Sequence, residues 1–80
     1  MTIKQMVVKR INDILKERNM AVNELAVISG ITPSTVYSMM QDNREDVSIS
    51  TLKKLCDGLE ITMGEFFSTP EFDNLEQEVK

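Results

Sequence analysis

The stretch from Val22 to Gln41 restricts the fold more than any other part of the chain. It reads as a helix ending at Ser29, a glycine at the bend, an apolar Ile31, and a Thr32-Pro33 pair opening a second helix that runs through Met40 or Gln41. Leu25, Ala26, Ile31, Val36 and Met39 fall where the two helices would meet, and Ala26 is small enough to let them cross closely. Gly30 occupies the position where a positive φ costs least. Thr32 can accept a free backbone N–H of the new helix, and Pro33 at its first position gives up a donor that has no partner there. Two short helices joined by a glycine-containing turn make a helix-turn-helix, whose second helix is shaped for the major groove of DNA.

The remaining sequence is helical in period throughout, with no alternation that would support a strand. Thr2 and Gln5 form a capping box before a first helix carrying Ile3, Met6, Val7, Ile11, Ile14 and Leu15 on one face, with Asn19 as its left-handed stop. Asp42 to Val47 reads as a surface loop. Ser48 caps a fourth helix with Ile49, Leu52, Leu55, Cys56 and Leu59 on one side, and Gly58 is expected to weaken its last turn. Thr62 and Glu65 make a second capping box, opening a short fifth helix with Met63, Phe66 and Phe67. Ser68-Thr69-Pro70-Glu71 repeats the start signal and predicts a short sixth helix with Phe72, Leu75 and Val79 as a narrow stripe. The expected organisation is an all-α domain over residues 1–67 followed by an acidic C-terminal tail or helix over 68–80.

Composition narrows the chemistry. Eighty residues allow one small domain. With no histidine and a single cysteine, a zinc site, a histidine-assisted nucleophile and an intrachain disulfide have no means of forming, so neither an enzyme nor a cofactor is expected. Cys56 lies on an apolar stripe and reads as a buried structural thiol. No stretch is apolar enough to cross a membrane and no signal peptide is evident, so the expected setting is cytoplasmic. The net charge of −4 runs against the basic character expected of a nucleic-acid binder. Its distribution is uneven, however. Lys4, Lys9, Arg10, Lys16 and Arg18 outweigh Asp13 and Glu17 near the start, while Glu71, Asp73, Glu76 and Glu78 concentrate acid near the end. The span from Ile31 to Gln41 has no ionised side chain. The early cations read either as a phosphate-facing cluster or as the solvated face of an amphipathic helix.

Two blocks in register carry a family resemblance: Glu24-Leu25-Ala26, Ser29-Gly30-Ile31-Thr32 and Ser34-Thr35-Val36-Tyr37, then Ser48 to Leu52 and Cys56 through Thr62 to Glu65-Phe66-Phe67. Over about residues 3–67 the chain resembles the phage-repressor-like Cro and Xre group of helix-turn-helix regulators. The resemblance implies a five-helix lambda-repressor-like fold, sequence-specific binding to double-stranded DNA, a homodimer on a two-fold operator, and no obligatory cofactor. Many members bury a charged pair between the end of the reading helix and the first helix. Here those positions are Met40 and Leu15, so apolar packing is expected to replace the pair as a unit. The loop after the reading helix has Asp42, Glu45 and Asp46 beside Arg44, where members often present cations.

Docking geometry then assigns roles. Ser34 and Ser38, four apart on one face, are the expected base readers, with Pro33 an apolar contact to a thymine methyl. Thr32 opens the helix, Thr35 and Tyr37 flank the reading face as phosphate donors, and Gln41, Asn43 and Arg44 lie where the chain would pass the DNA backbone. The alternative is a protein-interaction module of the same fold, an antirepressor or an antitoxin-like binder. Its protein partner would meet exposed Val27, Ile28, Met39 or the C-terminal stripe. A symmetric dimer through helix five and that stripe is the accompanying expectation.

Overall fold

The computed structural model describes residues 1–41 and 46–79, and these form six helices: α1 (Ile3–Glu17), α2 (Val22–Ile28), α3 (Pro33–Met40), α4 (Ile49–Gly58), α5 (Met63–Phe66) and α6 (Pro70–Asp73). No strand occurs among the described residues. The start signals of α1, α3, α4 and α5 act as their chemistry dictates, whereas Thr69 before α6 makes no side-chain cap bond. Thr2 Oγ1 accepts from the Gln5 N–H at 3.1 Å while Gln5 Oε1 accepts from the Thr2 N–H at 2.9 Å, and Thr62 and Glu65 repeat the exchange at 3.0 and 3.1 Å. Ser48 Oγ accepts from the Thr51 N–H at 3.2 Å.

Three of the helix ends share one form. In α1, α2 and α4 the chain turns left-handed just past the last turn, at Asn19 (φ 52°), Gly30 (φ 72°) and Glu60 (φ 59°). Each turn lets the backbone bond back on itself. Met20 N–H donates to Leu15 O, Ile31 N–H to Ala26 O and Ile61 N–H to Cys56 O, at 2.9, 3.0 and 3.0 Å. This is the Schellman closure, which occupies carbonyls that would otherwise be orphaned. At α3 and α5 the C-cap residue or last turn instead receives a cation from α1, Lys4 at Gln41 O and Arg10 at Phe66 O and Glu65 O.

One core unites the helices. Val7, Ile11, Ile14 and Leu15 of α1 pack with Leu25, Ala26, Val36, Met39, Leu52, Leu55, Cys56, Leu59 and Phe66. Leu15 is buried in this cluster, and Met40 packs partly buried against it. Burial pushes the Cys56 thiol above its ordinary pKa, which keeps it protonated and inert.

Several expectations need correcting. Gly58 is more than a weak point in α4: a Cβ there would lie 3.1 Å from the Ser29 Cα and closer still to the Ser29 hydroxyl, so the α2–α3 turn rests against bare backbone. Met39 is buried and cannot belong to an exposed partner surface. The stripe of Phe72, Leu75 and Val79 does not form, because α6 ends at Asp73 and Val79 is 88% exposed. Phe72 instead turns inward, 4.8 Å from the Phe67 ring and 6.1 Å from that of Phe66. Lys9 completes the docking by pairing with Asp13 at 2.7 Å and Glu71 at 3.1 Å, and these two carboxylates raise its pKa. The tail therefore folds back on its own domain, as tertiary burial of one aromatic outweighs a stripe that had nothing to cover it.

Candidate nucleic-acid interface

The inner face of the helix-turn-helix is closed by packing. Leu25, Ala26 and Val36 are fully buried, which seats α3 against α2 at the bend made by Gly30. What α3 turns outward is polar and uncharged. Ser34 and Thr35 are exposed, Tyr37 is 52% exposed, and Pro33 and Ser38 are half-buried.

Thr32 organises the first turn of this face. Its Oγ1 accepts from the Thr35 N–H at 3.4 Å and shares hydrogen bonds with the hydroxyls of Thr35 at 2.8 Å and Ser34 at 3.3 Å. The three hydroxyls form a small set at the positive end of the helix, each with capacity left for an acceptor or donor from outside. Such a surface meets phosphate without repulsion and meets base edges with short hydroxyl groups. Of the residues expected to contact DNA, Thr32, Pro33, Ser34, Thr35, Tyr37 and Ser38 share α3 and its cap. Gln41 is exposed at the far end, and Asn43 and Arg44 lie outside the described residues.

Four of the five cations near the start of the chain are committed elsewhere. Arg10 lies over the Phe66 ring, 5.9 Å from its centroid, and donates to Phe66 O at 2.8 Å and Glu65 O at 3.1 Å. Arg18 Nη1 donates to Leu59 O at 2.6 Å, and Lys9 holds two carboxylates. Lys4 is 4% exposed and its ammonium donates to Gln41 O. Neither reading of this cluster was complete, since most of it binds the ends of other helices. Nothing in the local sequence distinguishes Lys4 from a solvated lysine, as its acceptor is 37 residues away.

With this geometry in view, the comparisons with known proteins converge. The family model of the Cro/C1-type HTH DNA-binding domain matches residues 10–71. The chain belongs to this family. As a Cro/C1-type domain, it is of a DNA-binding type and not of an enzyme family. It is 35% identical over 63 residues to the HTH-type transcriptional regulator PuuR of Escherichia coli (strain K12), an alignment covering 79% of this chain, and matches PuuR of Shigella flexneri to the same extent. The aligned part amounts to 34% of the length of those regulators. The crystal structure of the prophage Lp1 protein 11 has the same fold, with a TM-score of 0.81 and 26% identity over 92% of this chain and 97% of that one. Among the described residues no helix is long and apolar enough to cross a membrane.

Proposed function

We propose that this Cro/C1-type domain binds double-stranded DNA sequence-specifically as a transcriptional repressor in the cytoplasm, reading the major groove with the first turns of α3. The observation that carries this reading is the uncharged hydroxyl face of exposed Ser34, Thr35 and Tyr37 and half-buried Ser38 on a helix whose opposite face is locked into the core. Ser34 and Ser38 read base edges. Thr32, Thr35, Tyr37 and Gln41, with Asn43 and Arg44 beyond them, meet the phosphate backbone, and Pro33 meets a thymine methyl. Two copies related by a two-fold axis would set their reading helices roughly 34 Å apart, making the site a pseudo-palindrome. Short hydroxyls discriminate less sharply than a bidentate arginine, so DNA shape contributes part of the specificity.

Selection of bound fragments from a random duplex pool tests this. Ser34→Ala and Ser38→Ala should each relax one or two positions of the selected site, at about 1 kcal/mol per lost contact. A site left unchanged by the double substitution would show that α3 is not the reader. The exposed pair Val27 and Ile28 on α2, at 72% and 51%, favours the second reading, a protein contact. That reading gains if no duplex is selected at low salt.

A further inference from the structure

The C-terminus of α3 is closed differently from that of its neighbours. In α1, α2 and α4 a left-handed residue follows the helix and the backbone bonds back to the last turn. Gln41, which ends α3, is extended (φ −71°, ψ 140°), and its own N–H makes one 3.3 Å bond, to Ser38 O. The last turn of α3 also has no basic residue. Within its described residues, then, the helix that carries Ser34 and Ser38 ends on an extended residue with no cation of its own.

Lys4 supplies one. It is the one charged side chain in the buried set of the described residues, and its ammonium donates to Gln41 O. Lys4 also lines a largely apolar cleft of about 340 Å³ with Val7, Asp46, Leu52 and Phe67, where a lysine's aliphatic stem can be buried while its head group reaches a polar partner. A cation at a helix C-terminus complements the negative end of the dipole, and a charge-assisted bond to a carbonyl is roughly twice as strong as a neutral one. Arg10 does the same for α5, whose C-cap Phe67 is not left-handed either.

We propose that Lys4 is a positioning residue for DNA recognition: it ties the open end of α3 to α1 and so fixes the angle at which the Ser34 and Ser38 face is offered to the groove. The idea rests on the reading of α3 as the recognition helix only for its consequence in DNA binding. The tie itself is testable without DNA.

Lys4→Met keeps the stem and removes the donor, and Lys4→Arg keeps the donor. In the free protein, amide hydrogen exchange of Met39, Met40 and Gln41 should quicken roughly tenfold in Lys4→Met relative to wild type, and recover in Lys4→Arg, while amides of Leu52, Leu55 and Cys56 in α4 are unchanged. With the duplex that the wild-type chain selects from a random pool, Lys4→Met should lose about tenfold in affinity. Binding to a scrambled duplex and the salt slope should not move. Unchanged exchange at the end of α3, or quickening equal to that in α4, would overturn the tie whatever the DNA result. Equal loss on both duplexes with a slope shallower by about one would make Lys4 a phosphate contact instead. If the wild type selects no duplex, the recognition reading of α3 falls and exchange alone decides the tie.

Discussion

Gly58 shows how much one missing methyl group can mean at the joint between helices. In an exposed helix, Gly→Ala gains about 1 kcal/mol from backbone entropy, and Gly58 is helical with an ordinary φ, so propensity alone favours alanine. Steric contact points the other way. An added Cβ would press on both the backbone and the hydroxyl of Ser29, the residue that leads into Gly30 and α3. Backbone cannot yield as a flexible side chain would, and overpacking of this kind costs about 1–3 kcal/mol. Gly58→Ala should therefore destabilise by about 1–2 kcal/mol net, seen as a lower denaturant midpoint at unchanged slope. Ser29 Oγ is buried without a partner, so Ser29→Ala added to Gly58→Ala should return part of the loss. A stabilised Gly58→Ala would mean that the α4 and α2 backbones separate easily.

At the scale of elements, helix starts were easier to read than helix ends. A start is set by one side chain three residues from its acceptor, so Thr2, Thr32, Ser48 and Thr62 could be recognised locally, and each caps its helix. Ends depend on what arrives from elsewhere. Asn19 and Gly30 announce a left-handed turn by residue type, whereas Glu60 adopts one (φ 59°) with no such mark, and α3 ends on a lysine from α1. The hydroxyl face of α3 followed from the same local signals, but the charge around it did not, because the acceptors of Arg10 and Arg18 lie on distant helices. The C-terminal stripe misled for a related reason. A start signal can open α6, yet only burial sustains a helix, and among the described residues after Phe72 nothing is buried in full. Since Phe72 covers Phe66 and Phe67 and is itself half-buried, Phe72→Ala should cost about 1–2 kcal/mol. Thermal unfolding measures it, and sedimentation of the same variant should show no change of oligomeric state. A variant of native stability but altered assembly would place Phe72 at an interface between copies.

For the whole molecule, the question is how an acidic chain approaches a polyanion. A net charge of −4 suppresses long-range attraction, and four of the five cations on α1 and its C-cap are already bound, Lys4, Arg10 and Arg18 to carbonyls and Lys9 to carboxylates. On α4, Lys53 pairs with Asp57. The carbonyl-bound cations keep their charge but are anchored, so they cannot swing out to displace counterions. Few phosphates per domain can then be neutralised, on the order of two or three, and each contributes a slope of about −0.9 in log K against log salt. The dependence for one domain should accordingly be no steeper than about −3, and sequence-independent binding should fade at moderate salt while the selected site is still held. Glu71 makes the α1–α6 contact with Lys9, and the remaining acid of Asp73, Glu76 and Glu78 follows it in the last helix and tail. Replacing Glu76 and Glu78 with glutamine should therefore raise affinity for every duplex by the same small factor, through net charge alone. Titrations of a selected and a scrambled duplex across a salt series read both effects. A slope well beyond −3 would mean that the anchored cations leave their carbonyls to meet the phosphates, and that the carbonyl ties of α1 loosen when DNA is bound.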